Sequence, residues 1–269
     1  MSLRINTNIE AFNAHRQLAA TSDRASKSME RLSSGYRINR AADDAAGLAI
    51  TEKLTAQING LEQAERNAQD AVSLVQTAEG SLDEVHEMLQ RVRELAVQYK
   101  NGTLSTSDQA AIQSEVNQLA SEIERIGSTV QFNGVMLLNG AGTITFQVGA
   151  NDGEIITVPT VSLGAAVSSL ALQLSSTGTS DISEIDAAIQ SVSAQRATFG
   201  AVQNRLEHTL NEIQAYHENM VSSESRIKDV DMASEMVNFT KLQILQQAGT
   251  SMLAQANQLP QSVLSLLRG

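Results

Sequence analysis

"LAITEKLTAQINGLEQAERNAQDAVSLVQTAEGSLDEVHEMLQRVRELAVQY", Leu48 to Tyr99, runs fifty-two residues without a proline. Its apolar positions are Leu54, Ile58, Leu61, Ala68, Val72, Val75, Leu82, Val85, Leu89, Val92, Ala96 and Tyr99, and they recur mostly in steps of three and four. That period predicts one long helix or two nearly collinear ones. At a rise of ~1.5 Å per residue the stretch would run about 78 Å, longer than any compact domain, so a rod is expected.

Asn101-Gly102 follows as a helix stop of αL-tolerant residues, and Thr106 with Gln109 reads as a capping box for the next helix. Ile112, Val116, Leu119, Ile123 and Ile126 give that helix a regular seam ending at Gly127, so the two should pack antiparallel. Residues 131–160 change period. Two Asn-Gly pairs, an Asn-Asp-Gly and the β-rich runs Thr143–Val148 and Glu154–Val158 predict one or two hairpins with tight turns. Residues 161–180 are rich in Ser, Gly, Ala and Thr and read as a surface loop. Asp181 with Glu184 opens a third long helix, with a seam of Ile182, Ile185, Ile189, Val192, Phe199, Val202, Leu206, Leu210, Ile213 and Met220.

The two ends carry apolar stripes. At the C-terminus these are Met236, Leu242, Leu245, Met252, Leu253, Ala256, Leu259, Val263 and the pair Leu266–Leu267; at the N-terminus, Leu3, Ile5, Ile9, Phe12, Leu18, Met29 and Leu32. The large apolar side chains among residues 1–40 are too few to offset the entropy of ordering forty residues. Both ends are therefore expected to be mobile in a monomer and ordered only in an assembly. The expected class is mainly α: long antiparallel coiled-coil-like helices, a small β-hairpin cap and paired terminal helices.

Composition narrows the function. Nineteen basic residues against thirty acidic give a net charge of −11, which disfavours nucleic acid and anionic membranes as partners. Cysteine is absent, excluding disulfides and thiol chemistry. No apolar run is long enough to span a bilayer, so no membrane insertion is expected, and the first twenty residues lack the basic and apolar regions of a signal peptide.

No site for catalysis, cofactor or metal emerges. His15, His86, His208 and His217 have no ligand spacing; His86-Glu87 and His217-Glu218 lack the second histidine of a zinc-protease motif. Gly140-Ala-Gly142 lacks the third glycine and following helix of a dinucleotide loop. Asp43-Asp44 fits a helix start better than calcium binding or acid–base work. Asn101-Gly-Thr103 and Asn238-Phe-Thr240 match the glycosylation triplet, which is short enough to arise by chance.

"ERLSSGYRINRAADDAAGLAI" (Glu30–Ile50), "LQRVRELAVQ" (Leu89–Gln98), "QFNGV" (Gln131–Val135), "FQVGANDGE" (Phe146–Glu154), "GAVQNRL" (Gly200–Leu206) and "QILQQAGTSMLAQANQLPQSVLSLL" (Gln243–Leu267) resemble bacterial flagellin, in the same order. The chain looks like a short form without the large outer variable domains.

The resemblance implies a self-assembling subunit of the extracellular flagellar filament, secreted unfolded through the flagellar type III export apparatus. It implies 1–43 and 231–269 as the two halves of an inner-tube domain. Residues 44–130 and 181–230 would supply rod helices, and 131–180 the β cap and variable loop. Polymerisation and export-chaperone contacts fall on Ile5, Ile9, Phe12, Leu242, Leu245, Met252, Leu253, Leu259, Val263, Leu264 and Leu267. Implied partners are further copies, the filament cap and hook-junction proteins, the chaperone, and the animal Toll-like receptor for flagellin. For that receptor the matching positions are Gln90, Arg91, Glu94, Leu95, Gln98 and Glu115, with Arg91 as polar anchor and Leu95 as apolar contact.

Alternatives are a hook–filament junction protein of the same family and an amphipathic lipid-binding protein. The latter should carry basic residues beside its apolar face, and residues 242–267 have none. An enzyme is the least favoured class.

Overall fold

The computed structural model describes residues 7–163 and 181–268. Five long helices occur among them: α1 (Ile9–Ser34), α2 (Ala45–Tyr99), α3 (Thr106–Thr129), α4 (Asp181–Lys228) and α5 (Met232–Arg268). Four strands lie between α3 and α4: β1 (Gln131–Phe132), β2 (Val135–Met136), β3 (Asn139–Gln147) and β4 (Ile155–Ser162). The class is mainly α, as the periodicity requires. Two compact units result, one of residues 1–56 with 219–269 and one of 57–218.

In the second unit the core is a heptad seam. Leu61, Ala64, Ala68, Ala71, Val75, Ala78, Leu82, Val85, Leu89, Val92 and Ala96 are buried, alternating steps of three and four without a break. Ala64, Ala71 and Ala78 replace Val72, which is only half-buried. A step of seven between the alanines lets a neighbouring helix approach closely. On α4 the buried positions Ile185, Val192, Phe199, Leu206 and Ile213 recur every seven residues. The polar flanks set the direction: Glu65 meets Gln214, Asp83 meets Arg196 at 2.8 Å, and Arg93 meets Asp186 at 2.6 Å. Partners on α4 fall back by as many residues as those on α2 advance, so the helices are antiparallel at constant register.

Several local expectations change. The box capping α3 is Ser105 with Asp108, one residue before Thr106 and Gln109. Asp108 accepts from both the hydroxyl and the N–H of Ser105, which lowers its carboxyl pKa. Asn101 and Gly102 stay outside the left-handed region; their turn is closed by Leu104 N–H donating to the Asn101 carbonyl at 3.3 Å. Of the Asn-Gly pairs, Asn133-Gly134 makes the two-residue turn joining β1 and β2, with φ 47° and 82°. Asn139-Gly140 instead begins β3, where the pairing with β4 is irregular up to Gly142.

β4 continues past the expected end to Ser162. Ile156, Val158 and Val161 are buried, and the N–H groups of Val161 and Leu163 donate to the carbonyls of Leu137 and Leu138. Thus 161–163 belong to the cap, and the rest of the expected loop, 164–180, lies outside the described residues. Gly60 lets the β3–β4 turn seat on α2: a Cβ there would stand 3.0 Å from the Ala150 Cβ.

In the first unit, α1 and α5 lie along each other. Asn8 caps α1, its Oδ1 accepting from Ala11 N–H at 3.0 Å, and its Nδ2 donates to the Ala256 carbonyl at 2.7 Å. That carbonyl would ordinarily accept from residue 260, but Pro260 has no N–H. Asn8 therefore replaces the bond the proline removes and ties both helices together. Asn8→Ala loses cap and carbonyl donor, and is expected to cost about 1–3 kcal/mol. Faster amide exchange in the first turn of α1 and around Ala256 would register it; unchanged exchange at both would refute the coupling.

The residues between α1 and α2 form an elbow against the α4–α5 turn. Gly35 ends α1 at φ 76°, its carbonyl accepting from Val230 N–H, while Arg37 N–H donates to the Lys228 carbonyl. Ile38 is buried, and the Lys228 ammonium stands 4.8 Å from the Tyr36 ring centroid. Asp44 caps α2 through Gly47 N–H at 2.9 Å. Asp43 accepts from Arg40 and Asn39 N–H and pairs with Lys27 at 3.6 Å. Burial pushes its carboxyl up, but those N–H groups and the lysine outweigh it and hold it below the ordinary value. The adjacent aspartates are structural.

Candidate functional site

The α1–α5 pair sorts its apolar residues in an unexpected way. On α1 the face toward α5 is Ala11, Ala14, Leu18, Thr21, Ala25, Ser28 and Leu32, buried or half-buried in steps of three and four. On α5 it is Glu235, Phe239, Leu242, Gln246, Gly249, Leu253 and Ala256. Most of these are small or polar. A Cβ on Gly249 would stand 3.1 Å from Leu18 Cδ1, and the Ser28 hydroxyl donates to Glu235.

Most of the large residues point away. Phe12 is 71% exposed, Val237 70%, Met252 64% and Ile244 61%; Ile9, Met29, Met232, Met236 and Leu245 are also exposed. The terminal stripes read as single faces thus split in two. Leu242 and Leu253 turn inward to the seam, whereas Ile9, Phe12, Leu245 and Met252 turn out. Ile5, and the side chains of Leu259, Val263, Leu264 and Leu267, lie outside the described residues. Met236, Val237, Thr240, Lys241 and Ile244 line a shallow apolar groove on α5. Helical geometry places Met236, Thr240 and Ile244 opposite the seam position Leu242.

Covering such side chains recovers free energy, about 1 kcal/mol for each one that is now half in water. Nine large apolar side chains on two helices remain available for that. No helix among the described residues is long and apolar enough to cross a membrane.

A second surface lies on α2 and α3. Arg91 bridges both helices, its guanidinium donating to Glu115 at 2.9 Å and 3.1 Å and to Glu94 at 3.2 Å. The bonds to Glu115 and then Glu94 raise its pKa, keeping it charged. Gln90 and Gln98 are exposed on the same stretch, and the Gln90 amide meets His86 Nε2 at 2.8 Å. Five of the six positions expected to form a recognition patch are therefore exposed. Leu95 corrects the sixth: it is only 2% exposed. Ion pairs join α2 to α3 at Arg91 and to α4 at Arg93, so residues between those flanks face inward. The exposed apolar residue beside the patch is Val97, at 52%.

A helix pair that closes its seam mostly with small or polar residues and holds most of its large apolar ones outside fits a polymerising subunit. Relatives give the same class. The model for the bacterial flagellin N-terminal helical region matches residues 5–143, and that for the C-terminal helical region matches 182–267. The chain is 54% identical to the flagellin of Halalkalibacterium halodurans, over 98% of this chain and 99% of that one. It is 46% identical to Bacillus subtilis flagellin, over 99% of this chain and all of that one. Identity is 48% to the flagellar filament 33 kDa core protein of Treponema phagedenis, over 98% and 99%. Bacillus cereus flagellin in its crystal structure is 32% identical, with a TM-score of 0.52 over 59% of this chain and 94% of that one.

The chain belongs to the bacterial flagellin family. It is a structural filament subunit that assembles with copies of itself, and is not an enzyme.

Proposed function

We propose that this subunit builds the extracellular filament that bacteria rotate for motility, and that residues 1–43 with 231–269 form its inner tube. The carrying observation is the outward stripe of α1 and α5, with Phe12 and Val237 about 70% exposed. In this reading, residues 44–230 form the surrounding layer, and the cap and hook-junction proteins meet the chain at the filament ends. Export proceeds unfolded through the flagellar type III apparatus, with a chaperone covering the α5 stripe beforehand. The terminal segments order fully only in the polymer, where the nine exposed large apolar residues described on α1 and α5 would be covered.

The test is seeded polymerisation of Val237→Glu/Ile244→Glu, followed by electron microscopy. Both side chains are exposed, so circular dichroism should stay unchanged while filaments disappear. Normal filaments from the double variant would overturn the assignment of this face to assembly.

For recognition by the innate flagellin receptor, we propose Gln90, Arg91, Glu94, Gln98 and Glu115 as the surface, with Val97 as the apolar contact in place of Leu95. Arg91 is held by two carboxylates, so its planar donors are already oriented before a partner arrives. Losing such an anchor lowers affinity by roughly thirtyfold. Arg91→Asp monomers should therefore signal at least about thirtyfold less strongly in receptor-reporter cells. An unchanged dose response would remove Arg91 from the surface.

A further inference from the structure

We propose that the exposed methionines of the α1–α5 pair are an oxidation site, and that their conversion to sulfoxides prevents the free subunit from joining a filament. The inference rests on the assembly reading above. The chain has no cysteine, so its thioethers are its only oxidisable sulfur. Among its eight methionines, Met29 is 56% exposed, Met232 47%, Met236 51% and Met252 64%, all on α1 and α5. Met88 and Met220 are half-buried on α2 and α4, and Met136, 43% exposed, lies on β2 outside the pair.

The co-reactant is a two-electron oxidant of the peroxide class. A sulfur lone pair attacks a peroxide oxygen, the S–O bond forms and the O–O bond breaks, and the departing hydroxide takes up the remaining proton as water. Sulfur is oxidised by two electrons and the peroxide reduced. The product exchanges a flexible apolar side chain for a polar, chiral one.

Position makes this consequential. Met236 lines the outer groove of α5 with Val237, Thr240, Lys241 and Ile244, and Met232 precedes it by one turn. The Thr240 hydroxyl already donates to the Met236 carbonyl at 2.8 Å, so it is not open to a new acceptor. Once a neighbouring subunit covers this face, a sulfoxide oxygen is withdrawn from water, and of the groove's side chains only Lys241 could still donate to it. A buried, unpaired polar group lowers association by about tenfold or more. The same covering shields the sulfur in a finished filament. Oxidation thus acts on subunits before they assemble.

The experiment treats monomer with hydrogen peroxide, maps sulfoxides by mass spectrometry, and measures elongation from filament seeds. Oxidised wild type should elongate at least about tenfold more slowly. The variant Met29→Leu/Met232→Leu/Met236→Leu/Met252→Leu, which keeps side-chain volume, should elongate equally with and without peroxide. Methionine sulfoxide reductase should restore the oxidised wild type, a readout that does not depend on how the variant folds. Equal inhibition of wild type and variant, or no recovery with the reductase, would overturn the proposal while leaving the assembly reading intact. Failure of untreated wild type to elongate would overturn both.

Discussion

A chain ending at Asp231 forms no filaments, and it loses more helix than the residues removed. The deletion takes the 37 residues of α5. It also takes the face against which α1 buries Thr21, Ala25 and Ser28. α1 is an amphipathic helix of 26 residues, and most helix stability in proteins comes from packing the apolar face rather than from intrinsic propensity. Its cap would survive only in part, since Asn8 also bonds the Ala256 carbonyl. Far-ultraviolet circular dichroism should therefore report a loss beyond α5 alone, while electron microscopy shows no polymer. A drop matching α5 only would mean that α1 holds its helix without its partner.

Phe199→Ala is the substitution expected to destabilise the 57–218 unit most. Phe199 is 1% exposed and is the largest of the residues that recur every seventh position along α4. Arg196 pairs with Asp83, so Phe199, one turn on, lies level with α2 residues from Ala78 to Leu82. The buried α2 residues at that level are Ala78 and Leu82. An alanine on both sides would open a cavity that neither long helix can close without bending, at a cost of about 3–5 kcal/mol. Denaturant unfolding followed by circular dichroism should show a lower midpoint at unchanged slope. A shift equivalent to less than about 1 kcal/mol would show that α4 moves in to fill the gap.

Five long helices, their antiparallel order, the position of the small β cap and the family were all legible in the sequence. Each depends on information local in the chain: the three-four spacing along Leu61 to Ala96, the Asn133-Gly134 turn, and six ordered motifs. Cap positions erred by a residue because Ser105 and Thr106 are both competent N-caps, and only the geometry of Asp108 chooses between them.

Which apolar residues face outward was decided by tertiary structure alone. Leu242 and Leu245 look equivalent in the sequence, as do Leu95 and Val97. The first of each pair is at least half-buried and the second is exposed, because burial depends on where the neighbouring helices lie. Hydrophobicity says that a side chain will leave water. It does not say whether its own chain or another copy will cover it, and in this protein that difference separates folding from assembly.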